Sequence, residues 1–308
     1  MKRHLIVEVL IGLTAIFAIT IAANATTRCV NPDGNSGCDA IIQTVINASA
    51  NGDTILIYPG TYQQLVTINR SLTIKGLGEP CNVNIVTQTG NAITMAAGSS
   101  NTSISNLTIT AGENGIYCNQ AITFYVYNCK IANCGVAGIS LNGDGGTLFV
   151  SNCVICGNSA YGIRTTRNNW YVRLNLYVYG NILYGNYGAG IYYLNQLGVN
   201  LNQYNCVFGN SPNYGGDALP GTGDISLDPQ FESPDSCNYH FLPGSPCIDE
   251  GRPGVLHYDC DGSFNDMGVY GGPYADCGPG PVVTELQIVP NTVIQGDSIR
   301  ILATGAAR

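Results

Sequence analysis

Along the middle of the chain the apolar positions recur with a long period, not a helical one. A Gly-Ile dipeptide returns at Gly115-Ile116, Gly138-Ile139, Gly162-Ile163 and Gly190-Ile191, at spacings of 23, 24 and 28 residues. In phase with it, Asn128-Cys129-Lys130-Ile131 is echoed by Asn152-Cys153-Val154-Ile155, Asn181-Ile182-Leu183-Tyr184 and Asn205-Cys206-Val207-Phe208. A further asparagine follows each echo, at Asn133, Asn158, Asn186 and Asn210. Between the two motifs lies an alternating run: Thr123 to Tyr127, Leu148 to Val150, Val172 to Tyr179 and Val199 to Tyr204. Alternation of period two marks a half-buried strand. Three short strands joined by Gly and Asn turns fill the repeat and leave no room for a helix, so the pattern predicts an all-β solenoid.

Stacked coils bring equivalent residues to about 4.8 Å from one another. Ile116, Ile139, Ile163 and Ile191 are then expected to form an interior aliphatic ladder, and Cys129, Cys153 and Cys206 a second one. Asparagine at a recurring corner suits the left-handed backbone, which it tolerates better than most residues. The ends need covers, because an open stack offers its edges to other chains. Asp39 to Ala50 places Ile41, Ile42, Val45 and Ile46 on one helical face with Asp39 as N-cap, which predicts a capping helix. Thr54 to Ile57, Leu65 to Ile68 and Ser71 to Lys75 then read as the first strands.

Composition agrees with this picture. Charged residues are 10% of the chain, against about 25% in an average globular protein. Stacking explains the shortage, since identical charges one coil apart repel. Between residues 80 and 216 the charges are Glu113, Lys130, Asp144, Arg164, Arg167 and Arg173, against 23 asparagines. A net charge of −8 argues against a nucleic-acid or anionic-lipid surface. Residues 217–280 hold 11 of the 20 acidic residues with many Pro and Gly, and read as a loop-rich, cysteine-containing C-terminal cap.

Residues 1–25 read as a secretory signal: Lys2, Arg3 and His4, an apolar stretch from Leu5 to Ala22, and Ala23-Asn24-Ala25 as the cleavage site. An uncleaved membrane anchor is the alternative. The expected location is secreted or at the cell surface. In that setting 13 cysteines suggest disulfides, concentrated at the ends of the stack. The Cys153 and Cys156 pair does not read as a zinc site, because residues an odd number apart in an extended chain face opposite ways.

Several runs resemble secreted right-handed parallel β-helix proteins of the pectate-lyase-like fold. At the N-terminal side these are Ile42-Gln43, Ile46, Ala48, Gly52-Asp53-Thr54-Ile55, Ile57 and Pro59-Gly60-Thr61-Tyr62, then Ser71-Leu72-Thr73-Ile74 and Gly76. At the other side Asp228-Pro229-Gln230-Phe231, Tyr239-His240-Phe241-Leu242-Pro243-Gly244-Ser245-Pro246-Cys247-Ile248-Asp249 and Asp266-Met267-Gly268-Val269-Tyr270 resemble a module that closes such helices in bacterial surface proteins. The resemblance implies a parallel β-helix over 26–216 with its N-terminal cap, and a closing module over 217–280. Residues 281–308 are expected to be a linker or the truncated start of a β-sandwich.

The resemblance is specific for fold and not for chemistry. It implies that any groove lies on the outer face of one sheet and takes an extended sugar chain. Tyr117, Ser140, Arg164 and Tyr192 are expected in one outward column, with Asn119, Asn142 and Thr166 in the next. Tyr117, Asn119, Asn142, Trp170 and Tyr192 are the candidate glycan contacts. Asp144, Arg164 and Arg167 are the candidate catalytic group of a polysaccharide lyase or glycosidase, which needs a base and a cation or two carboxylates. A lone surface ion pair is the alternative there. Outward tyrosines such as Tyr125, Tyr127, Tyr177, Tyr179 and Tyr204 either stack on sugars or form ladders that stabilise the sheet. Asp259, Asp261 and Asp266 flank Gly262 in part of a calcium-loop pattern; the alternative is a turn held by its own Asp side chains. The expected partner is a polysaccharide or cell-surface glycan, bound without cleavage by a monomer. No nucleic acid is expected, and no membrane contact beyond the signal.

Overall fold

The computed structural model describes residues 25–143, 145–166, 173–194, 198–275, 282–289 and 300–306. The repeat closes into three parallel sheets, each turn giving one strand to each. The first sheet has eight strands: Thr27–Val30, Thr54–Ile57, Thr73–Gly76, Thr102–Ser105, Thr123–Tyr127, Gly146–Ser151, Leu174–Tyr179 and Asn200–Gln203. The second has seven, from Gly60–Tyr62 through Lys130–Ala132, Val154–Cys156 and Ile182–Tyr184 to Cys206–Phe208. The third also has seven, from Val66–Ile68 through Asn114–Cys118, Ala137–Leu141, Tyr161–Thr165 and Ile191–Tyr193 to Tyr214–Gly216. This is the parallel β-helix that the repeat predicts.

Ile116, Ile139, Ile163 and Ile191 pair in register on successive strands of the third sheet and are fully buried. Each such side chain contributes about 1.5–3 kcal/mol by leaving water. The cysteine ladder is shorter than expected. Cys129 and Cys153 stack inside the core, where the Cys129 N–H points at the Cys153 sulfur at 3.5 Å. Cys206 instead pairs with Ile182, in the outward column that also holds Lys130 and Val154. Gly180 causes the slip. It takes the left-handed corner (φ 63°) that Asn128 and Asn152 occupy in the coils before it and Tyr204 in the coil after. Asn181 therefore lies beneath Cys153, not beneath Asn152: its Oδ1 accepts the Cys153 N–H at 2.9 Å, and Asn205 Oδ1 accepts the Asn181 N–H at 3.0 Å.

Buried amides need partners, since an unpaired one costs about 1–3 kcal/mol. The Asn181 side-chain NH2 donates to Val150 O, Tyr179 O and Asn205 Oδ1, each at 3.0 Å. A parallel column runs Asn158, Asn186, Asn210, Asn213, with each Oδ1 taking the N–H of the residue before it in the column. Asp224 ends the first column by accepting both the backbone and side-chain N–H of Asn205 at 2.9 Å.

The N-terminal helix is Ile42–Ala48, shorter than the sequence pattern suggests, with Ile42, Val45 and Ile46 buried and Ile41 exposed. Asp39 is not its N-cap; its carboxylate accepts the Ile41 N–H at 2.8 Å in the turn ahead. The helix closes the sheet edge through Gln43, whose amide accepts from Thr67 N at 2.7 Å and donates to Thr67 O at 3.1 Å. That imitates a neighbouring strand and blocks the edge. Asp53 ties down the entering strand, accepting from Thr26 N at 2.8 Å, Ala50 N at 2.9 Å and Arg28 Nε at 3.1 Å. The backbone N–H of Thr26, then that of Ala50 and the Arg28 guanidinium, hold its carboxyl well below the usual carboxylate range.

The C-terminal segment does more than close the end. After Ile225 bridges to Cys206, the chain turns back along the outer face of the second sheet. Tyr239, Cys247, Met267 and Val269 bury themselves against Ala132, Val154, Cys156 and Ile182 there. Disulfide Cys81–Cys237 fastens this return across 156 residues of sequence, and Cys29–Cys38 secures the N-terminal end. Cys260 is also disulfide-bonded; Cys277 lies outside the described residues. Val282–Val289 and Arg300–Ala306 form an antiparallel pair.

Candidate functional site

The three outer faces differ in what covers them. The return of residues 231–270 covers the later coils of the second sheet, from Lys130–Ala132 to Cys206–Phe208. On the first sheet Tyr125, Phe149 and Tyr177 stand in one register column, with ring centroids 5.0 and 4.5 Å apart and planes within 15° and 6° of parallel. Those separations match the strand spacing, so the rings stack on one another: both faces of Phe149 and one face each of Tyr125 and Tyr177 are used up. Tyr127 is covered likewise by Tyr274 at 4.4 Å, and the Arg252 guanidinium lies 4.3 Å over Tyr179. For these side chains the structure favours the sheet-stabilising alternative.

The third sheet keeps a face that is open in part: Thr67 is exposed, Thr94, Tyr117, Arg164 and Tyr192 are half-buried, and Ser140 is buried among them. Thr67, Thr94, Tyr117, Ser140, Arg164 and Tyr192 share one register column, which is the outward column expected from the sequence. In the adjoining column the Thr166 hydroxyl donates to Asn142 Oδ1 at 2.6 Å, and exposed Asn119 accepts from Gln120 Nε2 at 2.7 Å. The aromatic rings here do not stack in parallel. Tyr161 and Tyr192 meet at 5.0 Å with planes tilted by 51°, and the Arg164 guanidinium sits 5.2 Å from the Tyr161 ring. Arg164 Nε is buried without a hydrogen-bond partner. Around the corner the sheet continues into a groove of about 410 Å³ lined by Tyr161, Tyr187, Tyr192, Ala189 and Pro212. Tyr187 is 78% exposed, so its ring is free to take a ligand.

Arg164 is therefore placed on the open face, together with Tyr117 and Tyr192. Asp144, Arg167 and Trp170 lie outside the described residues. Glu113 sits on an exposed turn ahead of Asn114–Cys118. Tyr161, Tyr187 and Pro212 were not foreseen. Tyr161 had one signal in the sequence, its position directly before Gly162-Ile163-Arg164; the other two lie on turns with no period.

The carboxylates of Asp259, Asp261 and Asp266 each take donors from the surrounding turn and its neighbours. Asp259 accepts from Asp266 N at 3.1 Å and from Gly272 N. Asp261 accepts from Ser263 N at 2.9 Å and Oγ at 2.6 Å, and Asp266 accepts from Asp249 N at 2.7 Å. Among the described residues no group of three or more His, Cys, Asp or Glu is placed to hold a metal ion. Burial pushes the Asp259 carboxyl up to about 6 and raises that of Asp266. The Ser263 hydrogen bonds lower that of Asp261. Cys153 and Cys156 do face opposite ways, one into the main core and one towards the C-terminal return. Burial pushes the Cys129 and Cys134 thiols up to about 12, so they are packed as small hydrophobes and are not nucleophiles.

Comparison with known proteins adds a family. A cell surface glycoprotein of Methanothermus fervidus is 32% identical over 91 residues, 30% of this chain and 15% of that protein. The chain thus spans a small part of that relative's length. Among solved structures, the pectate lyase Pel9A is 12% identical, with a TM-score of 0.39, over 80% of this chain and 96% of that one. A pectin methylesterase from Aspergillus niger is 14% identical, with a TM-score of 0.36, over 68% and 91%. The family described as Right handed beta helix region matches residues 29–228. That span is more than half of the sequence and holds all the stacked coils, so the chain belongs to the right-handed β-helix family.

Proposed function

We propose that this chain is an extracellular or cell-surface β-helix module that binds a polysaccharide on the open face of its third sheet and does not cleave it. One observation carries the reading: Tyr161, Tyr187 and Tyr192 present tilted or free rings beside Arg164 and an Asn/Thr column, whereas the rings of the first sheet cover one another. Aromatic faces take the apolar side of a sugar ring, and neighbouring amides and hydroxyls take its hydroxyl groups. The name of the Methanothermus relative supports a surface location. The N-terminal stretch that reads as a secretory signal supports export.

Catalysis is the second reading, and the desolvated, unpartnered Arg164 Nε is what favours it. A lyase would use such a group against a uronate. One experiment separates the two. Purified protein is run through gels containing neutral and uronic-acid polysaccharides, and the same polymers are assayed for unsaturated or reducing-end products. Retardation without product, lost in Tyr187→Ala, supports the binding reading. Product formation abolished by Arg164→Ala, with the fold intact, overturns it.

A further inference from the structure

Beyond the stretch that reads as a secretory signal, four asparagines stand in the Asn-x-Ser/Thr pattern that accepts an N-linked glycan: Asn47, Asn69, Asn101 and Asn106. No asparagine after Asn106 does, although most of the asparagines lie there. The fold divides the four. Asn47, on the last turn of the N-terminal helix, and Asn69 and Asn101 are exposed, whereas Asn106 is fully buried. The three exposed sites occupy one corner of the stack, where the chain passes from the third sheet to the first. Asn69 follows the strand Val66–Ile68, and Asn101 precedes Thr102–Ser105. Arg70 joins the first two levels: its guanidinium donates to Asn47 O at 3.1 Å and to Asn69 Oδ1 at 3.1 Å. The next coil lies directly on this turn, with Ala96 N donating to Ile68 O at 2.8 Å and Thr102 Oγ1 to Arg70 O at 3.1 Å. The helix and the two coils beneath it thus present one site each, at successive levels of a single edge. Among the described residues the side-chain nitrogens of these three asparagines donate no hydrogen bond. Where the amide is engaged it is through Oδ1, which in Asn47 accepts from Gln43 Nε2 at 3.0 Å.

We propose that Asn47, Asn69 and Asn101 carry N-linked glycans that cover this edge of the first coils. The proposal rests on the export reading, because the glycan donor is presented on the exported side of the membrane. In the transfer the Asn side-chain nitrogen attacks the anomeric carbon of an oligosaccharide held on a polyprenyl phosphate or diphosphate. The C–N bond forms as the bond from that carbon to the phosphate oxygen breaks. The lipid phosphate leaves with the electron pair, and an amide proton passes to a base of the transferase. Ser49 Oγ is buried and donates to Val45 O at 2.7 Å, so the pattern at Asn47 is open to an enzyme only before the helix forms. The transfer therefore belongs to the unfolded, exported chain, and the fold then selects. A glycan on Asn47, Asn69 or Asn101 stays in water. One on Asn106 would force a hydrated sugar into a closed corner, and a chain modified there cannot close. Glycans also supply what stacking denies. Identical charges repel one coil apart, whereas a bulky hydrated sugar keeps the early coils soluble without them. Thr94 and Arg164 stand three strands apart in one column, so Asn101 lies about 14 Å along the stack from the coil of the proposed polysaccharide groove.

The test uses full-length protein from the cells that make it, separated into cytosolic, surface and medium fractions. Folded protein is digested, and its peptides are analysed by mass spectrometry with fragmentation that keeps the sugar on the peptide. The expected result is sugar on Asn47, Asn69 and Asn101 of the exported protein and none on Asn106. Asn47→Gln, Asn69→Gln and Asn101→Gln should each lower the intact mass by one glycan. Exported protein that is bare at all three sites overturns the inference and leaves the export reading standing. Protein confined to the cytosol overturns both. Sugar on Asn106 of the folded protein shows that burial does not select the sites, and the inference is then wrong.

Discussion

The outer faces of the first and third sheets are built by the same rule and have opposite properties. On both, equivalent residues stand about one strand spacing apart. On the first sheet three consecutive coils place an aromatic at the same position, so Tyr125, Phe149 and Tyr177 stack with nearly parallel planes and cover four of their six faces with one another. On the third sheet the corresponding column reads Tyr117, Ser140, Arg164, Tyr192, and the break between aromatics keeps the rings apart. Aromatic content therefore says little about sugar binding on a parallel β-helix. Whether equal residues fall in one column decides whether the rings serve the sheet or a ligand.

The sharpest way to break this contrast is to remove one ring from each face. Phe149→Ala deletes two stacked pairs and a half-buried ring. It is expected to destabilise the protein by about 2–3 kcal/mol, read as a lower thermal midpoint, with polysaccharide affinity unchanged. Tyr187→Ala is expected to do the reverse. Its ring is free, so stability should stay within about 0.5 kcal/mol. Losing one stacked sugar should weaken binding about tenfold, measured by affinity electrophoresis. If Phe149→Ala lowered affinity and Tyr187→Ala did not, the assignment of the two faces would be reversed.

The same contrast explains what could be read in the sequence. The Gly-Ile period was legible because Ile116, Ile139, Ile163 and Ile191 are held in one buried column, in register on successive coils. The Arg164 column followed directly from that register. The cysteine ladder departs from the sequence pattern at one place, because Gly180 substitutes for asparagine at a left-handed corner and the next asparagine falls in the cysteine column. The covered flank was not legible at all. It rests on contacts such as Cys81–Cys237, between residues 156 apart, which no local pattern announces. Tyr187 and Pro212 lie on turns, whose side chains obey no period.

The flank gives a smaller effect, through pH. Burial lifts the Asp259 carboxyl to about 6, above its usual value of about 3.9 in an unfolded chain. Between those values the folded state holds the proton more tightly, so stability declines as pH rises from about 4 to 6 and is level above that. Asp266 shifts in the same direction. The return over the second sheet should therefore resist protease better at pH 4.5 than at pH 7.5, by under about 1 kcal/mol because the site is half open to water. Asp259→Asn should flatten the dependence. A return that grows more resistant towards neutral pH would show that other carboxylates dominate this window.

The smallest expected effect is the most discriminating for the closed face. Tyr125 and Tyr177 each have one ring face taken by Phe149, and a glycan running along this column would hydrogen-bond to their hydroxyls. Tyr177→Phe keeps the ring stacked between Phe149 and its other neighbours and removes only the hydroxyl. If the column serves the sheet alone, stability and polysaccharide affinity should both stay within about 0.5 kcal/mol of wild type. Tyr192→Phe, the same change on the open face, should lose about 0.5–1.5 kcal/mol of affinity, the usual net worth of one hydrogen bond. Should Tyr177→Phe weaken binding as much as Tyr192→Phe, the sugar runs along the stacked edges, and the closed face is the one that binds.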